Sequence, residues 1–325
     1  MTALRVTLSR VALAAATVLV AVTPVLGQQY PTKPVRIIVA YAPGGGNDFI
    51  ARFMAQRLTT ALREQFIVEN KPGAGGTIGF QAGVMSPPDG YTLTLISSSY
   101  TANPSLYKLK FDPVTDMTPV IQISQGPFLV LVHPSLPVKN INDLIALAKS
   151  KPGEISFAST GQGSVVHLAT ELFASMAGIK MNHIPYKGTG PALTDTIAGQ
   201  TNVLFSSTAT ALPHVKTGRL RALAVTTATR LPAEPDIPTM PESGVPGYEV
   251  VLWHGLIGPK GLARPIVDRL NAEVTKALKL KETADQLQND GVSPAGGSPE
   301  QFLATIKNEI EVWRKVVSDA GIKAE

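Results

Sequence analysis

Val35-Arg36-Ile37-Ile38-Val39-Ala40-Tyr41-Ala42-Pro43-Gly44-Gly45-Gly46-Asn47-Asp48 is the stretch whose reading decides the fold. Val35 to Ala40 is a short apolar run that fits a buried strand. Pro43 and the glycines after it turn the chain. From Asp48 to Arg63 the residues Phe49, Ile50, Phe53, Met54, Leu58 and Leu62 recur at helical spacing, so a helix follows. Strand, glycine turn and helix make one β–turn–α unit. The pattern repeats: apolar runs at Phe66 to Val68, Tyr91 to Ile96, Ile121 to Val132, Ile155 to Ala158, Asn202 to Phe205 and Leu220 to Val225 alternate with helical segments. Such alternation predicts an α/β protein whose parallel sheets are covered on both faces. Beyond Pro265 the chain reads as mostly helical and ends in a helix from Pro299 to about Ala320.

Two runs break the pattern. Ile121 to Val132 is long for one strand and contains Gly126-Pro127, a pair that interrupts a ladder, so it reads as a segment crossing between domains. Glu249 to Gly258 supplies the return crossing. The expected layout is a discontinuous first domain, residues 28–125 plus 249–325, with a second domain, residues 126–248, inserted in it. Two sequential domains meeting in the proline-rich stretch Pro232 to Pro246 are the alternative. A chain of 325 residues is long enough for two cores in either case.

The N-terminus points to export. Arg5 and Arg10 flank the apolar run Val11 to Leu26, and Val25-Leu26-Gly27 provides a boundary for cleavage, so residues 1–27 read as a signal peptide and the periplasm as the destination. The apolar run falls short of the roughly 20 residues that span a bilayer. Cysteine is absent, which excludes disulfides, thiolate metal sites, a cysteine nucleophile and a lipoprotein anchor. The formal net charge of +5 loses Arg5 and Arg10 on cleavage. The remaining basic residues are scattered, and the clusters that nucleic acid would need are missing.

The candidate chemistry lies in turns. Glycines after a strand let backbone approach a ligand, and the first N–H groups of the following helix are unpaired donors at the positive end of its dipole. Pro43 to Asp48 has this form but lacks the lysine of a phosphate loop, and Asp48 would repel a phosphate. Ser159-Thr160-Gly161-Gln162-Gly163-Ser164 is a second turn of the same kind, before a helix with the apolar face Val165, Leu168, Leu172, Phe173 and Met176. Two such turns, one per domain, can face each other across a cleft and hold an anion through backbone donors. Gly73 to Gly79 resembles a dinucleotide fingerprint only superficially, because Asn70, Lys71 and Pro72 part it from the strand and the expected acidic residue is missing. It reads as a tight loop bordering the cleft.

Catalytic patterns are weaker. The histidines His133, His167, His183, His214 and His254 are well separated, and Ser164 with His167 has no orienting acid nearby. His167 and Glu171 make half a metal site without a third ligand. Neither an enzyme, a metal nor a cofactor is expected. Ser97-Ser98-Ser99-Tyr100 and Ser206-Ser207-Thr208 are hydroxyl-rich strand ends, at the sheet edge where α/β proteins bind ligands.

Together these landmarks resemble the Bug family of periplasmic solute receptors, the extracytoplasmic components of tripartite tricarboxylate transporters. The motifs are Tyr30-Pro31-x-Lys33-Pro34-Val35-Arg36, Ala42-Pro43-Gly44-Gly45-Gly46-x-Asp48, Glu69-Asn70-Lys71-Pro72-Gly73-Ala74-Gly75-Gly76, Pro88-Asp89-Gly90-Tyr91-Thr92-Leu93, Ile184-Pro185-Tyr186-Lys187-Gly188, Leu212-Pro213-His214 and Arg221-Ala222-Leu223-Ala224-Val225. The resemblance implies a two-lobed periplasmic-binding-protein fold of type II-like form, two sheets flanked by helices, closing on a small organic acid. Carried over by position, it puts ligand contacts at Tyr41, Ala42, Pro43, Gly44, Asp48, Ser97, Ser98, Thr160, Gly161, Ser164 and His167, with Tyr186 as a wall. Ser206 and Ser207 replace an acidic residue and an asparagine common in the family. An unaminated mono- or dicarboxylate is therefore expected rather than an amino acid. The implied partners are the membrane permease subunits or a sensor protein, with the receptor itself a monomer.

Overall fold

The structure is a computed structural model and describes residues 30–289, 291–319 and 322. The expected signal peptide lies outside them. The architecture below concerns the unit Lys33–Glu325.

In chain order the elements are β1 (Val35–Val39), α1 (Gly46–Leu62), β2 (Phe66–Asn70), α2 (Thr77–Val84), β3 (Thr92–Ser97), α3 (Ser98–Ala102), β4 (Met117–Val132), α4 (Ile141–Ser150), β5 (Ser156–Ser159), α5 (Val165–Ala177), β6 (Asn182–Pro185), α6 (Thr189–Ile197), β7 (Val203–Ser207), α7 (Thr208–Lys216), β8 (Arg221–Val225), β9 (Val251–Pro259), α8 (Arg264–Lys279), α9 (Lys281–Asn289), β10 (Ser293–Gly296) and α10 (Pro299–Asp319). The strand–turn–helix unit at the start is as the sequence indicates. Arg63 ends α1 in the left-handed region, its N–H bonded to the Thr59 carbonyl.

The strands form one path in the order β2-β1-β3-β9-β4-β7-β5-β6, with β8 and β10 also paired to β4. The outer pairs β1–β2, β1–β3, β5–β6 and β5–β7 are parallel. All pairs made by β4 are antiparallel, as is β3–β9. The sheet is thus mixed where the sequence pattern predicts parallel strands only. The reason lies in β4 and β9, which run between the two groups of βα units and so meet their neighbours head to tail.

β4 spans both groups. From Met117 to Pro127 it pairs with β9, and from Phe128 to Val132 with β7 and β8. Gly126 and Pro127, expected to break a ladder, stay in register opposite Leu252 and Val251. The change of partners follows at once. Gly126 is needed for packing, since a Cβ there would stand 2.6 Å from the Gly291 carbonyl oxygen. β6 and β10 are strands that the apolar runs did not reveal; both are short, and both are half open to solvent.

Each group of strands has its own core. Tyr41, Phe80, Tyr100, Trp253, Phe302 and Ile306 cluster beside β1 and β3, with Trp253 edge-on to Phe302 at 5.5 Å. Phe157, Leu168, Phe173, Phe205 and Tyr248 cluster with the second half of β4, and Trp313 and Val317 near the end of α10 join them. Two cores joined mainly through β4 and β9 position two sets of loops opposite each other.

Candidate functional site

The site is built from strand ends that run straight into helices. α1 starts at Gly46 after β1, α5 at Val165 after β5, α6 at Thr189 after β6, and α7 at Thr208 after β7. An enclosed cavity of about 20 Å³ lies between them. Its walls include Gly46 and Asn47 of α1, Val165 and Val166 of α5, Thr189 of α6, and Ser207, the residue before α7. The positive ends of these helices therefore converge on one small space. Ser97, Ser99, Thr160 and His254 complete its polar lining, and Phe128 and Leu252 its apolar part.

The two sets of loops are in contact around this space. The Ala42 N–H donates to the Lys187 carbonyl at 2.9 Å. Tyr107 donates its hydroxyl to the Gln162 carbonyl at 2.6 Å. Asn103 donates to the carbonyls of Gly163, at 3.0 Å, and Gly75, at 3.3 Å. The Val165 N–H donates to Ser99 Oγ at 3.0 Å. Glycine makes the approach possible: a Cβ on Gly75 would fall 2.1 Å from the Gln162 carbonyl oxygen, and one on Gly46 2.6 Å from Ser207 Oγ. The loop Gly73 to Gly79 thus borders the cleft.

The residues singled out in the sequence divide by what they touch. Ser97 and Thr160 line the cavity directly. Tyr41 is buried behind it, its hydroxyl donating to the Gly75 carbonyl at 3.0 Å, and burial pushes its phenol well above the ordinary range. Ala42 and Gly161 sit at contacts between the loops; Gly161 has φ +131° and its N–H donates to Ser159 Oγ at 3.2 Å. Pro43 and Gly44 are exposed. Ser98 is fully buried, and its hydroxyl has no hydrogen-bond partner among the described residues. Ser164 caps α5 by accepting from the His167 N–H at 3.3 Å, and His167 Nδ1 accepts from the Gly163 N–H at 3.1 Å. Ser206 pairs with Thr210 at 2.9 Å. Tyr186 donates to Asp195 at 2.7 Å, which engages its hydroxyl.

Asp48 turns inward on its own loop. Its carboxylate accepts from the Gly44 N–H at 3.1 Å, Arg52 at 2.9 Å and Asn70 at 3.0 Å. Burial disfavours its charge, but these bonds outweigh burial and hold its pKa below the ordinary value. An open groove of about 450 Å³, lined by Phe49, Phe53, Arg52 and Thr210 among others, flanks the same loop from outside. Its charged pair is already satisfied, whereas the enclosed cavity has unpaired buried groups. The cavity is the better site on that ground.

Sequence reasoning missed Asn47, Thr189 and His254. The first two are helix starts, and helix starts after glycine were legible in principle. His254 gave no signal, because it lies inside an apolar strand.

The fold is that of the two-lobed periplasmic binding proteins, with loops of both lobes meeting at one enclosed cavity. Residues 50–322 match the family model described as "Tripartite tricarboxylate transporter family receptor", and the chain belongs to that family. The structure of the periplasmic binding protein BugD is similar to it, with 34% identity, a TM-score of 0.88 and coverage of 90% of this chain and 99% of that one. An R. palustris protein solved with adipate is 36% identical with a TM-score of 0.88, over 90% of this chain and 99% of its own. Another from Rhodopseudomonas palustris, with bound malate, is 30% identical with a TM-score of 0.85, over 89% and 100%.

Proposed function

We propose that the chain is a periplasmic receptor that encloses a small organic carboxylate between its lobes and delivers it to the permease subunits of a tripartite tricarboxylate transporter. The observation that carries this reading is the convergence of the N-termini of α1, α5, α6 and α7 on one cavity. Where first-turn N–H groups are not taken by the protein's own side chains, as those of Val165 and His167 in α5 are, they and the converging dipoles favour an anion there without any cation. Hydrogen bonds to a charged acceptor contribute roughly 1.5 to 3 kcal/mol each. A few of them reach micromolar affinity, about −8 kcal/mol, after the cost of ordering the ligand. Relatives solved with adipate and with malate support a ligand of this class.

Closure is the mechanism. A cavity of about 20 Å³ holds roughly one water-sized group, so a carboxylate enters only when the lobes part. The ligand then stabilises a closure wider than this one by bridging both sets of loops. The hinge in this reading lies where β4 and β9 run between the lobes, with lobe boundaries at residues 28–125 plus 249–325 and 126–248. Export by a leader of residues 1–27 and action as a monomer complete the proposal. Isothermal titration of residues 28–325 against a panel of mono- and dicarboxylates tests it. Binding of at least one member at micromolar affinity is expected, and binding of none overturns the reading.

A further inference from the structure

Ser97 on β3, His254 on β9 and Ser124 on β4 stand directly opposite one another in the strand register. Residues facing each other across a sheet point to the same side, so the three form one polar row. All three are buried, with exposures of 1%, 1% and 0%. Ser124 Oγ lies 3.0 Å from His254 Nδ1, and this is its one hydrogen bond to another side chain among the described residues. In the tautomer in which Ser124 donates to Nδ1, the ring proton resides on Nε2. Nε2 has no partner among the described residues, and His254 lines the enclosed cavity. The Ser97 hydroxyl, also on the cavity wall and close to Tyr41, makes no hydrogen bond of normal geometry among the described residues.

We propose that His254 is a specificity-determining residue: its neutral Nε2–H, with the Ser97 hydroxyl beside it, takes a second oxygen acceptor on the ligand, apart from the carboxylate held at the helix N-termini. The inference rests on the receptor reading above. A buried donor without an acceptor is costly, and a ligand oxygen removes that cost. The residues lining the cavity include no lysine or arginine, so recognition of the second group is by uncharged donors. Burial holds the imidazole at a pKa of about 3, so the donor does not change charge across the physiological range. A ligand with an oxygen at both ends satisfies the row; an acid with an alkyl tail leaves it unpaired.

The test compares chain-length-matched pairs, adipate with hexanoate and succinate with butyrate, by calorimetry on wild type, His254→Leu, His254→Gln and Ser97→Ala. Wild type is expected to prefer the dicarboxylate of at least one pair by about tenfold or more. That ratio should collapse in His254→Leu, survive in part in His254→Gln, which keeps an N–H donor, and shrink in Ser97→Ala. Because the ratio is taken within one protein, a partly unfolded variant does not alter it, and the Gln and Ala variants read it should the Leu variant not fold. If wild type binds none of the four acids nor any other carboxylate, the receptor reading fails and this inference with it. If it binds carboxylates but shows no preference for a second oxygen, or if the variants keep the wild-type ratio, only the assignment of His254 is overturned.

Discussion

The rings of His167 and His183 stack with centroids 4.0 Å apart and planes 11° from parallel, directly behind the second glycine turn. His183 Nε2 lies 2.6 Å from Ser159 Oγ, and His167 Nδ1 accepts from the Gly163 N–H. One stacked pair therefore braces both ends of the turn that carries Thr160 and Gly161.

The pair makes stability depend on pH. Burial depresses His167 to about 4; burial, and then the neighbouring His167, depress His183 to about 3. Both folded values lie below the unfolded value near 6.5, so the unfolded chain binds more protons as pH falls. Their contribution is complete above about pH 6.5 and is lost progressively towards pH 4 for His167 and pH 3 for His183, at up to about 1.4 kcal/mol per pH unit for each group. His254 acts in the same sense. Glu309 opposes them: burial raises it to about 7, so its contribution is full below about pH 4.5 and lost as pH rises to 7. Urea denaturation between pH 7 and 5 should show a net fall in stability, and His183→Gln should flatten it. A profile unchanged by that substitution would contradict the bracing role.

Gly75 should control closure. A methyl group on it meets the Gln162 carbonyl oxygen at 2.1 Å, a backbone atom of the opposing loop that has no rotamer to escape into. Gly75→Ala is expected to weaken carboxylate binding by roughly fivefold to a hundredfold, since overpacking costs roughly 1 to 3 kcal/mol. Small-angle scattering should report a more open particle while thermal unfolding stays cooperative. Wild-type affinity in this variant would remove closure from the mechanism.

Tyr107 and Asn103 should hold the closed form more gently. Tyr107→Phe deletes the bond to the Gln162 carbonyl, and Asn103→Ala those to Gly163 and Gly75. Each is expected to cost about 0.5 to 1.5 kcal/mol in the closed state, a loss of affinity between twofold and tenfold. Stopped-flow measurement should place that loss in faster ligand release rather than slower capture.

Asp48→Ala should damage the first turn even though its carboxylate points away from the cavity. It strips an acceptor from the Gly44 N–H, Arg52 and Asn70 at once. A drop of about 1 to 3 kcal/mol in stability is expected, together with weaker binding. Arg52→Ala should cost less than about 1 kcal/mol, because that side chain is mostly exposed. Equal effects of the two changes would show that the ion pair, rather than the turn, is what Asp48 supports.

What the sequence by itself determined is local. A strand run ending in Pro43-Gly44-Gly45-Gly46, or in Thr160-Gly161, can only turn and start a helix, and unpaired helix N–H groups follow from backbone geometry wherever that happens. The strands β4 and β9 were legible too, as apolar runs too long or too isolated for a βα unit. Tertiary structure decided how the pieces meet. Whether helix starts from both lobes face one cavity depends on β4 and β9 pairing in register, and so does the row Ser97, His254 and Ser124. His254 and Ser124 are 130 residues apart. No spacing rule reaches that far, and a histidine inside an apolar strand acquires its meaning only when the sheet sets a serine on either side of it.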